Sequence, residues 1–175
     1  FHRFCLTVLR EHYMQAGLPK QFSIADETTQ LLTLSRASRI QNEKSLGTVL
    51  NAIGSYRLNR DNLNPIFQEI AAKWIQPYHR ELRKNNLIDF DQILLLTQDL
   101  FNRHPELVDA YRQTFDAILV DEFQDTDPIQ YAIMKALAWQ HRNIFVVADD
   151  DQSIFAWRGA QIENIDRYAQ DFNCQ

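Results

Sequence analysis

The sequence is short of cysteine and glycine, and it carries no surplus of positive charge. Of its 175 residues, 2 are Cys, 4 are Gly and 5 are Pro. Cys5 and Cys174 lie near opposite ends, which makes neither a disulfide framework nor a metal-ligand spacing; both read as ordinary thiols. No Gly-x-x-x-x-Gly-Lys-Ser/Thr run occurs, so these residues include no backbone cradle of that type for phosphates. The formal net charge of −5 gives no ground for a broadly basic nucleic-acid face. Any such contact has to be local, with ring stacking counting for more than charge. No apolar run approaches the ~20 residues needed to cross a bilayer, and no signal-peptide pattern opens the chain. Phe1 rather than Met comes first, in mid-pattern, and the expectation is a piece cut from a longer protein.

What is present is an ordinary globular composition, 45% hydrophobic and 23% charged. The chain is organised around residues 115–160. The apolar run Phe115-Asp116-Ala117-Ile118-Leu119-Val120 stops at Asp121-Glu122-Phe123-Gln124-Asp125-Thr126. A second run, Asn143-Ile144-Phe145-Val146-Val147-Ala148, stops at Asp149-Asp150-Asp151-Gln152. Both runs are short, rich in β-branched and aromatic residues, and not clearly alternating, as in strands buried on both faces of a parallel sheet. The helical pattern between them, Pro128 to Gln140, makes a βαβ unit. Ligands bind such sheets beyond the carboxyl ends of the strands, so both acidic clusters are expected on one sheet edge. Two parallel strands are not a stable core by themselves, and further strands are expected in sequence outside these residues.

The rest of the chain reads as helices. Arg3 to Ala16 has Phe4, Val8 and Leu9 on one side, with Gly17 as its left-handed stop. From there to Leu87 strand signals vanish. Asp26-Glu27 opens a helix carrying Leu31, Leu32 and Leu34, and Leu46, Val49, Leu50 and Ile53 have amphipathic spacing. Asn64-Pro65 caps a long helix with Ile66, Phe67, Ile70, Trp74, Tyr78 and Leu82 recurring, which Pro77 is expected to kink. Its aromatics could form a binding surface, but their spacing favours core packing. Asp89 caps a helix striped by Phe90, Ile93, Leu94, Thr97, Leu100 and Phe101. A short helix follows His104-Pro105, and a last one spans about Ile162 to Gln170.

Several of these residues suit particular chemistry. Asp121 and Glu122 end a strand, where adjacent carboxylates can serve one site in different roles. One can help hold Mg²⁺ and the other orient an attacking water, as phosphoryl transfer requires. The bland alternative is a solvated strand-to-loop turn. Asp149-Asp150-Asp151 also reads as a solvated turn with capping carboxylates. Gln152 could reach a terminal phosphate as a neutral hydrogen-bonding partner. Phe155, Trp157 and Arg158 crowd one polar loop, where rings can stack on bases and a guanidinium can pair with phosphate; a loop folded over its own aromatics is the alternative. His2, beside Arg3 at a helix start, could contact phosphate or be an ordinary helix-terminal histidine.

With these residues in view, the chain resembles part of a UvrD/Rep/PcrA-type DNA helicase of superfamily one. Val120-Asp121-Glu122-Phe123-Gln124-Asp125-Thr126 is similar to the family's motif II, and the run from Asp149 to Ala160 is similar to motif III. Phe1-His2-Arg3-Phe4-Cys5 resembles the end of motif Ib, and Asp89-Phe90-Asp91-Gln92-Ile93-Leu94 a further signature. The resemblance implies an α/β fold: a partial RecA-like parallel α/β domain of the P-loop NTPase type (domain 1A, residues 1–17 and 89–175) with an all-helical insertion (domain 1B, residues 18–88). It implies ATP and Mg²⁺ as cofactors and single-stranded and duplex DNA as partners. Asp121 is then the metal-coordinating residue, Glu122 the group that activates water, and Gln152 the sensor of the terminal phosphate. Phe155 and Trp157 stack on bases, Arg158 lies near DNA or an acid, and His2 touches the DNA backbone. The implied function is 3′-to-5′ translocation and unwinding driven by ATP hydrolysis, in the bacterial cytoplasm, with DNA repair among its settings. Ala148, Phe155 and Ala156 depart from the family's usual residues without removing a catalytic group. The absent phosphate loop implies that these residues alone do not hydrolyse ATP. A non-catalytic DNA- or protein-binding module, or the ATPase part of a helicase–nuclease subunit, are the alternatives.

Overall fold

The structure is a computed structural model that describes residues 1–58, 63–149 and 163–173. It divides into two compact units, Phe1–Thr97 and Gln98–Gln175. Among the described residues no helix is long and apolar enough to cross a membrane.

The first unit holds α1 (His2–Glu11), β1 (Ser23–Ile24), α2 (Glu27–Ser38), α3 (Glu43–Leu58), α4 (Pro65–Lys84), β2 (Leu87–Ile88) and the start of α5 (Phe90–Arg103). α1 is shorter than its pattern: the helix ends at Glu11, and a series of turns carries the chain to Gly17. Gly17 adopts φ 69, left-handed as its residue type suggested, but it closes these turns rather than the helix, whose C-cap is His12. Asp26 caps α2 by accepting from Thr29 N–H at 2.8 Å, and Asn64 caps α4 by accepting from Ile66 N–H at 2.9 Å. α4 continues through Pro77 to Lys84.

α2, α3 and α4 close on a core of Leu34, Leu46, Val49, Ile53, Tyr78 and Leu82, with Trp74 packed against it from the side. That is the packing role its spacing favoured. Not every apolar residue of the pattern goes inward: Leu32, Ile66 and Phe90 are exposed. One feature corrects the sequence reading. The stretch expected to be all-helical contains β1 and β2, a parallel pair in the register Ser23↔Leu87 and Ile24↔Ile88. Two-residue strands are too short to leave a periodicity, so only the backbone pairing reveals them.

Beneath this core lies a buried ionic cluster. Arg57 Nη1 donates to Asp89 Oδ2 at 2.9 Å and to Asp91 Oδ2 at 3.3 Å, and Arg57 Nη2 meets His79 Nε2. Asp89 also caps α5 reciprocally: its Oδ1 accepts from Gln92 N–H at 2.9 Å, and Gln92 Oε1 accepts from Asp89 N–H at 3.1 Å. Burial first and the Arg57 charge second, opposed by Asp89 and helped least by Arg83, lower the His79 pKa to about 4. His79 is therefore neutral in the folded protein where an ordinary histidine, near 6.5, takes a proton.

The unfolded chain binds more protons than the folded one between those values. The His79 contribution to stability is accordingly full above pH 6.5 and is lost as pH falls toward 4. Burial raises the Asp91 pKa, against the pull of Arg57, and this works in the opposite sense. Its contribution is full below the ordinary value of 3.8 and is lost as pH rises through the raised one. The urea midpoint of the first unit is expected to fall between pH 6.5 and 4, and His79→Gln to flatten that slope. An unchanged slope in the variant would remove His79 as the cause.

The second unit begins within α5 and continues through α6 (Pro105–Arg112), β3 (Ile118–Val120), a 3₁₀ turn (Phe123–Asp125), α7 (Pro128–Ala138), β4 (Ile144–Val146) and α8 (Glu163–Phe172). β3 and β4 are parallel in the register Ile118↔Ile144, Leu119↔Phe145 and Val120↔Val146, so β3–α7–β4 is the βαβ unit the apolar runs suggested. One sheet face is covered: Val120, Ile118, Ile144 and Val146 pack with Phe123, Tyr131, Met134, Tyr168 and Phe172 from the turn, α7 and α8. α8 is fastened by Tyr168 Oη donating to Ile144 O at 3.1 Å and by Asp171, which accepts from Tyr131 Oη and Lys135 Nζ, each at 2.7 Å. The other face is open. Leu119 is 75% exposed and Phe145 63%, which corrects the expectation of burial on both faces for the described residues. Mostly helical with small parallel sheets, the structure is compatible with a partial α/β helicase domain.

Candidate functional site

The carboxyl ends of β3 and β4 lie side by side. Beyond the last register pair the chains stay bonded: Val147 N–H donates to Val120 O at 2.8 Å, and Phe123 N–H to Val147 O at 2.9 Å. Asp121, Glu122 and Asp149 therefore share one sheet edge, as the strand ends implied. Asp150 and Asp151 lie outside the described residues.

A local device turns the Asp-Glu pair outward. Glu122 sits in the left-handed region at φ 53 and ψ 43, which costs a non-glycine residue roughly 1–2 kcal/mol. The 3₁₀ turn that follows drives Phe123 into the core, where its ring meets Tyr168 at 5.5 Å and Tyr131 at 6.2 Å between centroids. The buried ring holds the turn, and the strain is carried on the exposed Asp121-Glu122 side of it. Asp121 Oδ1 accepts from Glu122 N–H at 3.0 Å, which orients the first carboxylate.

The floor of this edge is polar and ordered. Gln124 is 1% exposed. Its Nε2 donates to Glu122 Oε2 at 2.6 Å, and its Oε1 accepts from Asp149 N–H at 3.0 Å. Thr126 Oγ1 donates to Phe123 O at 2.7 Å, and Asn164 Nδ2 of α8 donates to Thr126 O at 2.9 Å. Asp127 closes the loop with a capping box on α7: it accepts from Ile129 and Gln130 N–H, both at 2.8 Å, and Gln130 Oε1 accepts from Asp127 N–H at 3.0 Å. The Asp121-Glu122 backbone is thus set between a strand and a capped helix. Among the described residues no group of three or more His, Cys, Asp or Glu could cage a metal ion.

Of the other residues singled out by sequence, His2 is the first residue of α1, half-buried, with its ring edge-on to Phe90 at 5.9 Å. Burial lowers its pKa, helped by the Phe1 amino group and opposed by Asp91 and a hydrogen bond with the Phe90 backbone. His2 belongs to the first compact unit and the Asp-Glu pair to the second. Gln152, Phe155, Trp157 and Arg158 lie outside the described residues, as does Cys174; Cys5 is buried. Sequence reasoning did not single out Gln124 or Asn164. Each owes its role to a contact made across the fold, 25 residues away for Gln124 and 38 for Asn164, and no local pattern announces such a contact.

The chain is similar in sequence to known proteins over nearly its whole length. The family model described as UvrD/REP helicase N-terminal domain matches residues 1–173. DNA helicase II of Escherichia coli is 37% identical over 98% of the chain, and DNA helicase II of Haemophilus influenzae 35% identical over all of it. The ATP-dependent DNA helicase PcrA of Staphylococcus epidermidis is 33% identical over 98%. The chain spans about a quarter of the length of these relatives, 25% in each case. A match over nearly the whole sequence, with motif II folded as a strand-end Asp-Glu pair on a parallel sheet edge, places the chain in the UvrD/REP helicase N-terminal domain family.

Proposed function

We propose that this chain is part of a longer ATP-dependent 3′-to-5′ DNA helicase, and that it supplies the hydrolytic carboxylates and the base-stacking loop of the motor. The observation that carries the reading is the shared sheet edge, where Asp121, Glu122 and Asp149 stand at the carboxyl ends of adjacent parallel strands. The substrate is MgATP. The residues present suit a metal that arrives with phosphates: Asp121 is exposed at a strand end and there is no dedicated cage among the described residues, as fits an ion bound through one or two carboxylates plus substrate oxygens. Bound there, the ion neutralises charge on the phosphates.

Glu122 orients and deprotonates the attacking water. Gln152 senses the terminal phosphate and relays its loss toward Phe155 and Trp157. Those rings hold single-stranded bases, Arg158 lies beside DNA or a neighbouring acid, and His2 contacts the backbone. The open face at Leu119 and Phe145 suits a further layer of a RecA-like domain of the P-loop NTPase type, domain 1A, with residues 18–88 as the insertion 1B. The stacking role has a direct measurement. In the full-length enzyme, Trp157→Ala is expected to weaken binding of a single-stranded oligonucleotide by about 1–3 kcal/mol while ATP affinity holds. An unchanged oligonucleotide affinity would take Trp157 out of the DNA site.

A further inference from the structure

We propose that Gln124 is a positioning residue for Glu122: it holds that carboxylate and ties it to the chain leaving β4. The inference rests on the reading of Glu122 as the group that activates water. The geometry has little freedom. The Gln124 side chain is buried, and both ends of its amide are engaged, Nε2 with Glu122 Oε2 at 2.6 Å and Oε1 with Asp149 N–H at 3.0 Å. A carboxylate only accepts and a backbone N–H only donates, so one orientation of the amide satisfies both.

The consequence for Glu122 is specific. An exposed glutamate has several rotatable bonds and no reason to hold one geometry. Here one oxygen, Oε2, is pinned by a buried donor, and the other is left to address water. The second bond makes the clamp sensitive to the neighbouring strand. Asp149 lies shortly after β4, and in sequence Gln152 lies just beyond it. A displacement of the backbone at Asp149 pulls on Gln124 Oε1, and through the same rigid amide on Glu122. Gln124 thereby gives the strand-end loops a physical connection to the hydrolytic carboxylate that does not depend on a ligand.

The test uses the full-length enzyme with Gln124→Glu, Gln124→Met, Glu122→Gln and the double variant Glu122→Gln/Gln124→Met. Gln124→Glu keeps an acceptor for Asp149 N–H but sets a like charge against Glu122; Gln124→Met removes both bonds at similar volume. Both single changes at 124 are expected to lower kcat for DNA-stimulated ATP hydrolysis about tenfold or more, as loss of an orienting partner does. KM for ATP is expected to stay within about twofold, because the group acts on the chemical step. In the Glu122→Gln background, Gln124→Met is expected to lower the residual rate no further.

A wild-type kcat for Gln124→Glu would overturn the proposal and leave the bridge as a loop tie. An equal further loss in the Glu122→Gln background would overturn it too, since Gln124 would then act independently. Should Gln124→Met fail to fold by thermal melting, Gln124→Glu decides alone. Normal turnover in Glu122→Gln would instead remove the reading of Glu122 itself, and the proposal with it. A dead Glu122→Gln beside fully active Gln124 variants removes the proposal only.

Discussion

Glu122→Gln in the full-length enzyme is expected to lower ATP turnover by about 10²–10⁴-fold, the usual worth of a positioned general base. The substitution is nearly isosteric. It leaves an oxygen to accept from Gln124 Nε2 and leaves Asp121, whose Oδ1 accepts from the backbone N–H of residue 122, in place. What it removes is the basic oxygen. ATP binding is therefore expected to persist, because the interactions lost are those made in the transition state. A rapid-quench measurement of one turnover, paired with equilibrium binding of labelled ATP, separates the two quantities. Turnover at the wild-type rate would end the assignment of Glu122 as the water-activating group. The strained backbone sharpens the expectation: a glutamate at φ 53 persists only where the surrounding fold over-determines it, and here the buried Phe123 ring does so.

Arg57→Met is expected to destabilise the first unit by about 3–5 kcal/mol, because it strands buried charge. The Arg57 side chain is 5% exposed and that of Asp89 2%, so Asp89 cannot turn to bulk water for compensation, whereas Asp91, 35% exposed, can. Removing the guanidinium leaves Asp89 committed to the α5 cap, bonded to Gln92 N–H, with its counter-charge gone. It also takes away the partner of His79 Nε2. A change of that size is a large fraction of the stability of an ordinary domain. Hydrogen exchange of the α3 and α4 amides under mild urea reads the first unit separately from the second. A shift of less than about 0.5 kcal/mol, the range of ordinary surface changes, would show the cluster to be solvated in solution.

Much of this was legible in residue order. The helix starts at Asp26, Asn64 and Asp89 each sit where a short polar side chain precedes an apolar helical pattern, and each was a local decision of the chain; the equally local cap at Asp127 was not read. The amphipathic repeat through Leu46, Val49 and Ile53 fixed which side of α3 is buried, because burial follows the 3.6-residue period. The apolar runs ending on acid located β3, β4 and the Asp-Glu pair, and the motifs carried the family. The two-residue strands β1 and β2 escaped because they are shorter than one period of any pattern. Leu32, Ile66, Leu119 and Phe145 escaped because an apolar residue says that it can be buried, not that a partner surface is present to bury it.

By itself the sequence determined the helices, their caps, the strand–helix–strand unit and the chemistry available at the ends of its strands, since these rest on interactions within a few residues. Only the tertiary structure decided that Arg57 would meet Asp89 and Asp91, that Asn164 would hold the Thr126 carbonyl, and that Gln124 would join Glu122 to Asp149. Those pairings depend on which buried polar group is left facing which other once the helices and strands have packed. That is settled by the geometry of the whole unit and by the cost of leaving any such group unpaired.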